Sequence, residues 1–221
     1  MRSLDKIAHS LGTDKSSEIH NYCVKYEKWL PFNRLEPLTI LEIGVLTGKS
    51  LLTWREYYPY AQIVGLDINP DCKQYEDLSK KIAVEIGSQD DLEFLKTVIE
   101  KWGPFDMILD DGSHMNSHVI ASFNYLIDSV KSEGVYVVED SCTAYWPEYE
   151  GGFRKSGTSI EFFKDMADDI NFNGQLQENF WNVHGRREDH LTKQTLNKNL
   201  SIRVNIESIN FLNGIIIITK R

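Results

Sequence analysis

A regular alternation of short apolar runs with longer stretches of helical character constrains this chain more than any other feature. The runs LTILEIG (Leu38 to Gly44), QIVGLDI (Gln62 to Ile68), IAVEIG (Ile82 to Gly87), FDMILDD (Phe105 to Asp111) and GVYVVED (Gly134 to Asp140) read as buried strands. Thr47 to Tyr58, Asp71 to Lys80, Gln89 to Trp102 and His118 to Lys131 follow the first four and read as helices. Such alternation predicts a parallel sheet with helices on both faces and right-handed crossovers. The chain ends differently. SIRVNIESIN and GIIIITKR are strand-like and are joined by Phe211-Leu212-Asn213-Gly214. Asn-Gly is a strong turn signal, so an antiparallel hairpin should close one sheet edge.

The length of 221 residues fits a single domain over 1–221, with an N-terminal lid segment 1–36 and an insertion 145–198. Such additions often cover a site at the C-terminal ends of the strands. Hydrophobic residues make up 41%, enough for a substantial core. A net charge of -9 argues against nucleic acid as a partner. No apolar run approaches the roughly 20 residues of a membrane span, so no membrane partner is expected. The start, MRSLDKIAHSLGTDK, lacks the apolar core of a signal peptide. Cys23, Cys72 and Cys142 show neither zinc spacing nor a disulfide framework. A reduced, cytoplasmic protein is the simplest expectation.

The stretch LEIGVLTGKS, Leu41 to Ser50, invites a P-loop reading because it ends in Gly-Lys-Ser. A P-loop needs four residues between its first glycine and that tripeptide, and only three separate Gly44 from Gly48. The pattern Glu42-x-Gly44-x-x-x-Gly48 fits a different loop. A carboxylate ends the strand, one glycine allows a sharp turn, and the second allows close approach of a ligand. Glu42 repels phosphate and suits an ammonium or sulfonium. Asp67, at the end of the second run, sits at the offset expected of a residue holding ribose hydroxyls. Gly87-Ser88-Gln89-Asp90-Asp91 follows the third run, where a polar side chain can reach an adenine edge. An NAD(P)-dependent oxidoreductase or a non-catalytic cofactor-binding protein shares part of this pattern, although the loop lacks the first G-x-G of most NAD sites.

The strongest local signal is Ile108-Leu109-Asp110-Asp111-Gly112-Ser113-His114, with Val137-Val138-Glu139-Asp140 downstream. Both sets sit where a parallel strand should end. If the two strands are neighbours, about 4.8 Å apart, as many as four carboxylates crowd one edge. A divalent cation relieves that repulsion, and hard oxygen donors favour Mg²⁺, Mn²⁺ or Ca²⁺ over zinc. His114, three residues past Asp111, can take a proton from a substrate hydroxyl near neutral pH. The bland reading has Asp110 and Asp111 merely capping the next helix with Ser113.

The glycine loop, Asp67 and the polar turn after the third run together resemble class I S-adenosylmethionine-dependent methyltransferases, over Leu38 to Asp140 and the closing hairpin. That resemblance implies a Rossmann-like, seven-stranded, mostly parallel sheet with helices on both faces and a C-terminal antiparallel hairpin. The set DDGSHxxxH, with Val-Glu-Asp downstream and Gly12-Thr13-Asp14-Lys15, His20 and Tyr22 upstream, is similar to a narrower group. This group comprises the metal-dependent macrolide-sugar O-methyltransferases of mycinamicin type and cephalosporin-hydroxylase-like relatives. The resemblance implies S-adenosylmethionine as cofactor, bound by Glu42, Gly44, Gly48, Asp67, Ile68, Ser88, Gln89, Asp90 and Asp110. It implies Mg²⁺ or another hard divalent cation on Asp111, Glu139 and Asp140, with His114 as general base and Asp111 beside it. The acceptor would be a small molecule, a sugar or glycoside, and the protein a homo-oligomer. The chain is expected to depart from those members that carry a large N-terminal domain.

Other residues carry balanced readings. His118 falls inside a helix and suits a structural role. His20 and Tyr22 suit either a lid or an ordinary surface. Tyr145-Trp146-Pro147-Glu148-Tyr149 can stack on a sugar or cofactor, or simply pack. Lys49 reads as a solvent-facing helix residue.

Overall fold

The computed structural model describes residues 2–173 and 205–221. The five apolar runs become parallel strands: β1 (Thr39–Ile43), β2 (Gln62–Asp67), β3 (Ile82–Ile86), β4 (Phe105–Asp110) and β5 (Val130–Val138). The terminal hairpin supplies β6 (Ile206–Leu212) and β7 (Ile215–Lys220), with β7 antiparallel to β5. Asn213-Gly214 forms its tight turn, and Gly214 takes φ +81°. The stretch 201–204 of the expected strand lies outside the described residues. The sheet order is β3-β2-β1-β4-β5-β7-β6, the mixed seven-stranded Rossmann-like sheet that was expected.

Alternation along each strand divides the core in two. Ile40, Ile63, Val84, Met107, Leu109, Val135 and Val137 face one side. There they meet α1 (Leu4–Leu11), α2 (Tyr22–Trp29) and α3 (Lys49–Tyr57) through Leu4, Ile7, Tyr26, Leu51 and Trp54. Leu41, Ile43, Val64, Ile108, Tyr136 and Val138 face the other. Their partners there are Leu95, Val98, Val119, Phe123 and Phe163, from α4 (Leu92–Trp102), α5 (Asn116–Leu126) and α6 (Ser159–Asn173). Strands buried on both faces explain why the runs read as nearly continuous apolar sequence.

Two helix expectations need correction. Asp71 to Lys80 forms two short 3₁₀ turns, Pro70–Tyr75 and Leu78–Lys80, instead of one helix. Pro70 and the Asn69 cap start the first turn, and extended Glu76 and Asp77 separate it from the second. The expected helix 118–131 starts earlier, at Asn116, and ends at Leu126; β5 already begins at Val130.

Of the segment 1–36, expected as a lid, residues 2–36 are described, and Leu4, Ile7, Ala8, Tyr22 and Tyr26 among them are buried in the first core face. Of the insertion 145–198, residues 174–198 lie outside the described residues. Among the described residues no helix is long and apolar enough to cross a membrane.

Candidate active site

The chain leaves β1 toward β2 and β3 on one side and returns to β4 on the other. The crevice at the C-terminal ends of β1 and β4 is therefore the switch point where open α/β sheets bind ligands. The glycine loop lies there. Gly44 has φ +94°, and a Cβ on it would stand 2.0 Å from the carbonyl oxygen of Asp111. Gly48 caps α3 at φ +67°, with its open side against the Tyr75 ring. Left-handed strain and collision with fixed backbone add at Gly44. Gly44→Ala is therefore expected to lower unfolding free energy by about 3 kcal/mol. A urea transition unshifted from wild type would contradict this packing.

Asp67 braces the same loop. Its Oδ2 accepts the N–H groups of Val45 (2.8 Å) and Leu46 (3.0 Å), and its Oδ1 accepts that of Asn69 (2.8 Å). Partial burial alone would raise its pKa, but those three donors outweigh it and hold the carboxyl below its ordinary value. A carboxylate offers about four acceptor sites, so a ribose hydroxyl finds roughly one left. Ile68, next in sequence, is exposed at the rim.

Strand parity brings the acids together. Glu42 shares the face of Ile40, Asp111 that of Leu109, and Glu139 that of Val137. Asp111 N–H donates to Ile43 O, and Glu139 N–H to Asp110 O, both at 2.9 Å, which fixes the strand ends. The three carboxylates converge on Lys15. Its Nζ donates to Asp111 Oδ2 and to Glu139 Oε2 (2.5 Å), and stands 3.7 Å from Glu42 Oε1. Burial alone would push the ammonium's pKa down; the carboxylates of Asp111, Glu139 and Glu42 outweigh burial and raise it well above its usual value. Tyr26 donates its hydroxyl to Glu139 Oε1. Glu42 is fully buried, and neither of its oxygens has a hydrogen bond of normal geometry. Burial pushes its carboxyl up to about 7, against the pull of Lys15 and Ser50.

Asp140 takes φ +47°, which turns it out of the strand. Its Oδ1 accepts the Tyr22 hydroxyl at 2.5 Å, and its Oδ2 lies 3.7 Å from His114 Nε2. His114 also has positive φ, +58°, and its ring lies edge-on to Tyr149 with centroids 6.1 Å apart. Asp111, His114 and Asp140 each offer a ligand atom, and these lie within 4.8 Å of one another. Opposite ligands of Mg²⁺ stand about 4.2 Å apart, so a small adjustment fits the set to a hard cation. The structure thus groups His114 with two of the three expected metal ligands. Glu139 sits one step inward, on Lys15 and Tyr26.

Asp110, Gln89, Ser88 and Asp90 were expected at the cofactor. Asp110 and Gln89 instead form a buried hub. Asp110 accepts from Gln89 Nε2 (3.1 Å), Ser122 (2.7 Å) and Tyr136 (3.1 Å). Burial raises the Asp110 carboxyl and these donors hold it back. Gln89 Oε1 accepts the Ser113 N–H at 2.7 Å, so the hub supports the turn that carries His114. Ser88 donates to Asp90, Asp90 stands 3.5 Å from His118 Nε2, and His118 Nδ1 bonds Ser113 Oγ at 2.9 Å. Lys49 reaches Gly12 O at 3.1 Å. Sequence reasoning gave Lys15 no role beyond its place in the Gly-Thr-Asp-Lys run and did not single out Tyr26.

Beyond Asp140 a cavity of about 490 Å³ is lined by Ser141, Tyr145, Phe153, Arg154, Phe211 and Gly214, among others. The Tyr145 and Phe153 rings lie 6.3 Å apart.

No protein-family model matches the chain. It is 36% identical over 180 residues to L-olivosyl-oleandolide 3-O-methyltransferase of Streptomyces antibioticus, covering 76% of this chain and 46% of that protein. It is 37% identical over 177 residues to mycinamicin VI 2''-O-methyltransferase of Micromonospora griseorubida, covering 76% and 44%. Among solved structures, the methyltransferase MycE of mycinamycin biosynthesis, in complex with Mg, SAH and mycinamycin VI, superposes with a TM-score of 0.81 at 30% identity. That match covers 100% of this chain and 55% of MycE. The chain thus spans about half the length of the curated relatives it matches.

Proposed function

Because this chain belongs to the class I S-adenosylmethionine-dependent methyltransferase family, beside the macrolide-sugar O-methyltransferases, we propose that it methylates a hydroxyl of a sugar or glycosylated small molecule. The observation that carries the reading is the meeting of Asp111, His114 and Asp140 at the switch point, within 4.8 Å. S-adenosylmethionine, when bound, supplies the methyl group on a sulfonium, and the glycine loop with Asp67, Ile68, Ser88 and Asp90 lines the edge where it would lie. A hard divalent cation such as Mg²⁺ on Asp111 and Asp140 would lower the acceptor hydroxyl's pKa and steady its oxyanion.

The chain's own residues do the rest. His114 Nε2 would take the hydroxyl proton as that oxygen forms its bond to the methyl carbon in line, the methyl–sulfur bond breaking to leave neutral S-adenosylhomocysteine. Asp140 Oδ2 stands 3.7 Å from that nitrogen and faces the ring. The Asp110–Gln89–Ser113 hub holds the turn bearing His114. Tyr145 and Phe153 offer apolar faces to the acceptor beyond Asp140. A homo-oligomer is the assembly this reading carries with it.

Calorimetric titration with S-adenosylhomocysteine tests the reading, with NADH and ATP as controls, each with Mg²⁺ and with chelator. Binding of S-adenosylhomocysteine alone is expected. Binding of NADH or ATP in its place would overturn the cofactor assignment.

A further inference from the structure

Lys15 has no place in the chemistry above, yet it sits at the centre of the site. Its side chain is buried between β1, β4 and β5, with its ammonium on the inner oxygens of Asp111 and Glu139. Asp111 is also one of the residues that can hold a cation. Lys15 takes only one oxygen of Asp111, but at Glu139 both are engaged: Oε2 holds the ammonium and Oε1 the Tyr26 hydroxyl. For Glu139 to join a metal at about 2.1 Å the ammonium must give way, since two positive charges would otherwise crowd one carboxylate oxygen.

Glu42 gives it somewhere to go. This carboxylate is wholly enclosed, has no hydrogen bond of normal geometry on either oxygen, and lies 3.7 Å from Lys15 Nζ. A shift of about 1 Å would complete a charge-assisted hydrogen bond there. A buried side chain with two unpartnered oxygens is costly whether charged or neutral, so the position of Glu42 beside a cation with two competing partners points to a second resting place.

We propose that Lys15 is an exchangeable resident cation: a divalent metal displaces its ammonium from Asp111 and Glu139 onto Glu42, and the lysine thereby sets the metal affinity of the site. This rests on the metal-assisted reading above. It also reconciles the three-carboxylate ligand set expected from the sequence with the observed pairing, since withdrawal of Lys15 frees Glu139 to join Asp111 and Asp140. Without metal, the lysine keeps the crowded carboxylates neutralised; with metal, it neutralises Glu42 beside the glycine loop.

The test is Mn²⁺ binding to the cofactor-free full chain, followed by the electron paramagnetic resonance of free Mn²⁺. Lys15→Met should bind Mn²⁺ at least about tenfold more tightly than wild type, because the competitor is gone and the site gains a negative charge. Glu42→Gln should bind at least about tenfold more weakly, because the ammonium loses its second place. In the double variant the Glu42→Gln effect should shrink to under about threefold, which separates exchange from simple loss of charge. Unchanged or weaker binding by folded Lys15→Met overturns the exchange. So does a Glu42→Gln effect of equal size with and without the lysine. If Lys15→Met does not fold, unchanged affinity in Glu42→Gln overturns it. Absence of Mn²⁺ binding by wild type, with S-adenosylhomocysteine still bound, instead overturns the metal reading itself, and the exchange falls with it.

Discussion

Replacing His114 with alanine is expected to lower turnover by about 100-fold or more, while affinity for S-adenosylhomocysteine stays within about threefold of wild type. The asymmetry follows from position. His114 stands on the turn after β4, facing Asp140 and Tyr149, whereas the glycine loop is braced by Asp67 on the β2 side. His114 also lies close enough to Asp111 and Asp140 to ligate a cation. Two roles are thus open to one imidazole, and they predict different companions to the lost rate. A base gives a slow enzyme with Mn²⁺ affinity intact, and small imidazoles added to the alanine variant restore part of the rate. A ligand gives a slow enzyme that also binds Mn²⁺ at least about tenfold more weakly and gains nothing from imidazole. The base reading fits the geometry better, because Asp111 and Asp140 already supply the hard oxygens such metals prefer. Wild-type turnover in His114→Ala would remove the residue from the mechanism.

The sheet was legible because its strands are buried on both faces. Few polar residues interrupt the apolar runs, and the acids at their C-terminal ends, Glu42, Asp67, Asp111 and Glu139, mark where β1, β2, β4 and β5 meet the crevice. Asp106, at the start of β4, lies at the opposite edge, where it accepts from Thr39 N–H and Lys131. Helix boundaries were less legible. Pro70 and the Asn69 cap favour tight 3₁₀ turns over one helix between β2 and β3, a local choice that composition alone does not reveal. Within the site, the convergence of Asp111, His114 and Asp140 followed from two neighbouring strand ends. The inward turn of Asp110 did not, although parity carried the signal: Asp110 shares the face of Ile108, which packs on α5, and Ser122 and Tyr136 wait there. The same parity places Glu42 with Ile40, under the N-terminal segment. Lys15 was named within the Gly-Thr-Asp-Lys run, but its role at the acids was hidden for another reason. It is 96 residues from Asp111 and 124 from Glu139, and no periodic pattern links a loop lysine to strand ends that far away. Only the three-dimensional packing of α1 and α2 against the sheet brings it in.

Asp111→Asn should have the second large effect: divalent-cation affinity at least about 100-fold weaker, and a residual activity that no longer responds to chelator. Asparagine keeps the shape and one carbonyl oxygen but removes the charge that both Lys15 and a cation draw on. The fold should survive. Lys15 retains Glu139 and Glu42, and the Asp111 backbone N–H still donates to Ile43 O, so the end of β4 stays registered with β1. Asp140→Asn is the informative companion. It removes a ligand but also weakens the acceptor of the Tyr22 hydroxyl, so it should lose metal affinity and loosen α2 together. If Asp111→Asn lost activity with metal affinity intact, the carboxylate would act on the acceptor or on His114 directly. If wild type and variant were both fully active in chelator, the crowded acids would be structural. The charge balance around Lys15 would then be all that they serve.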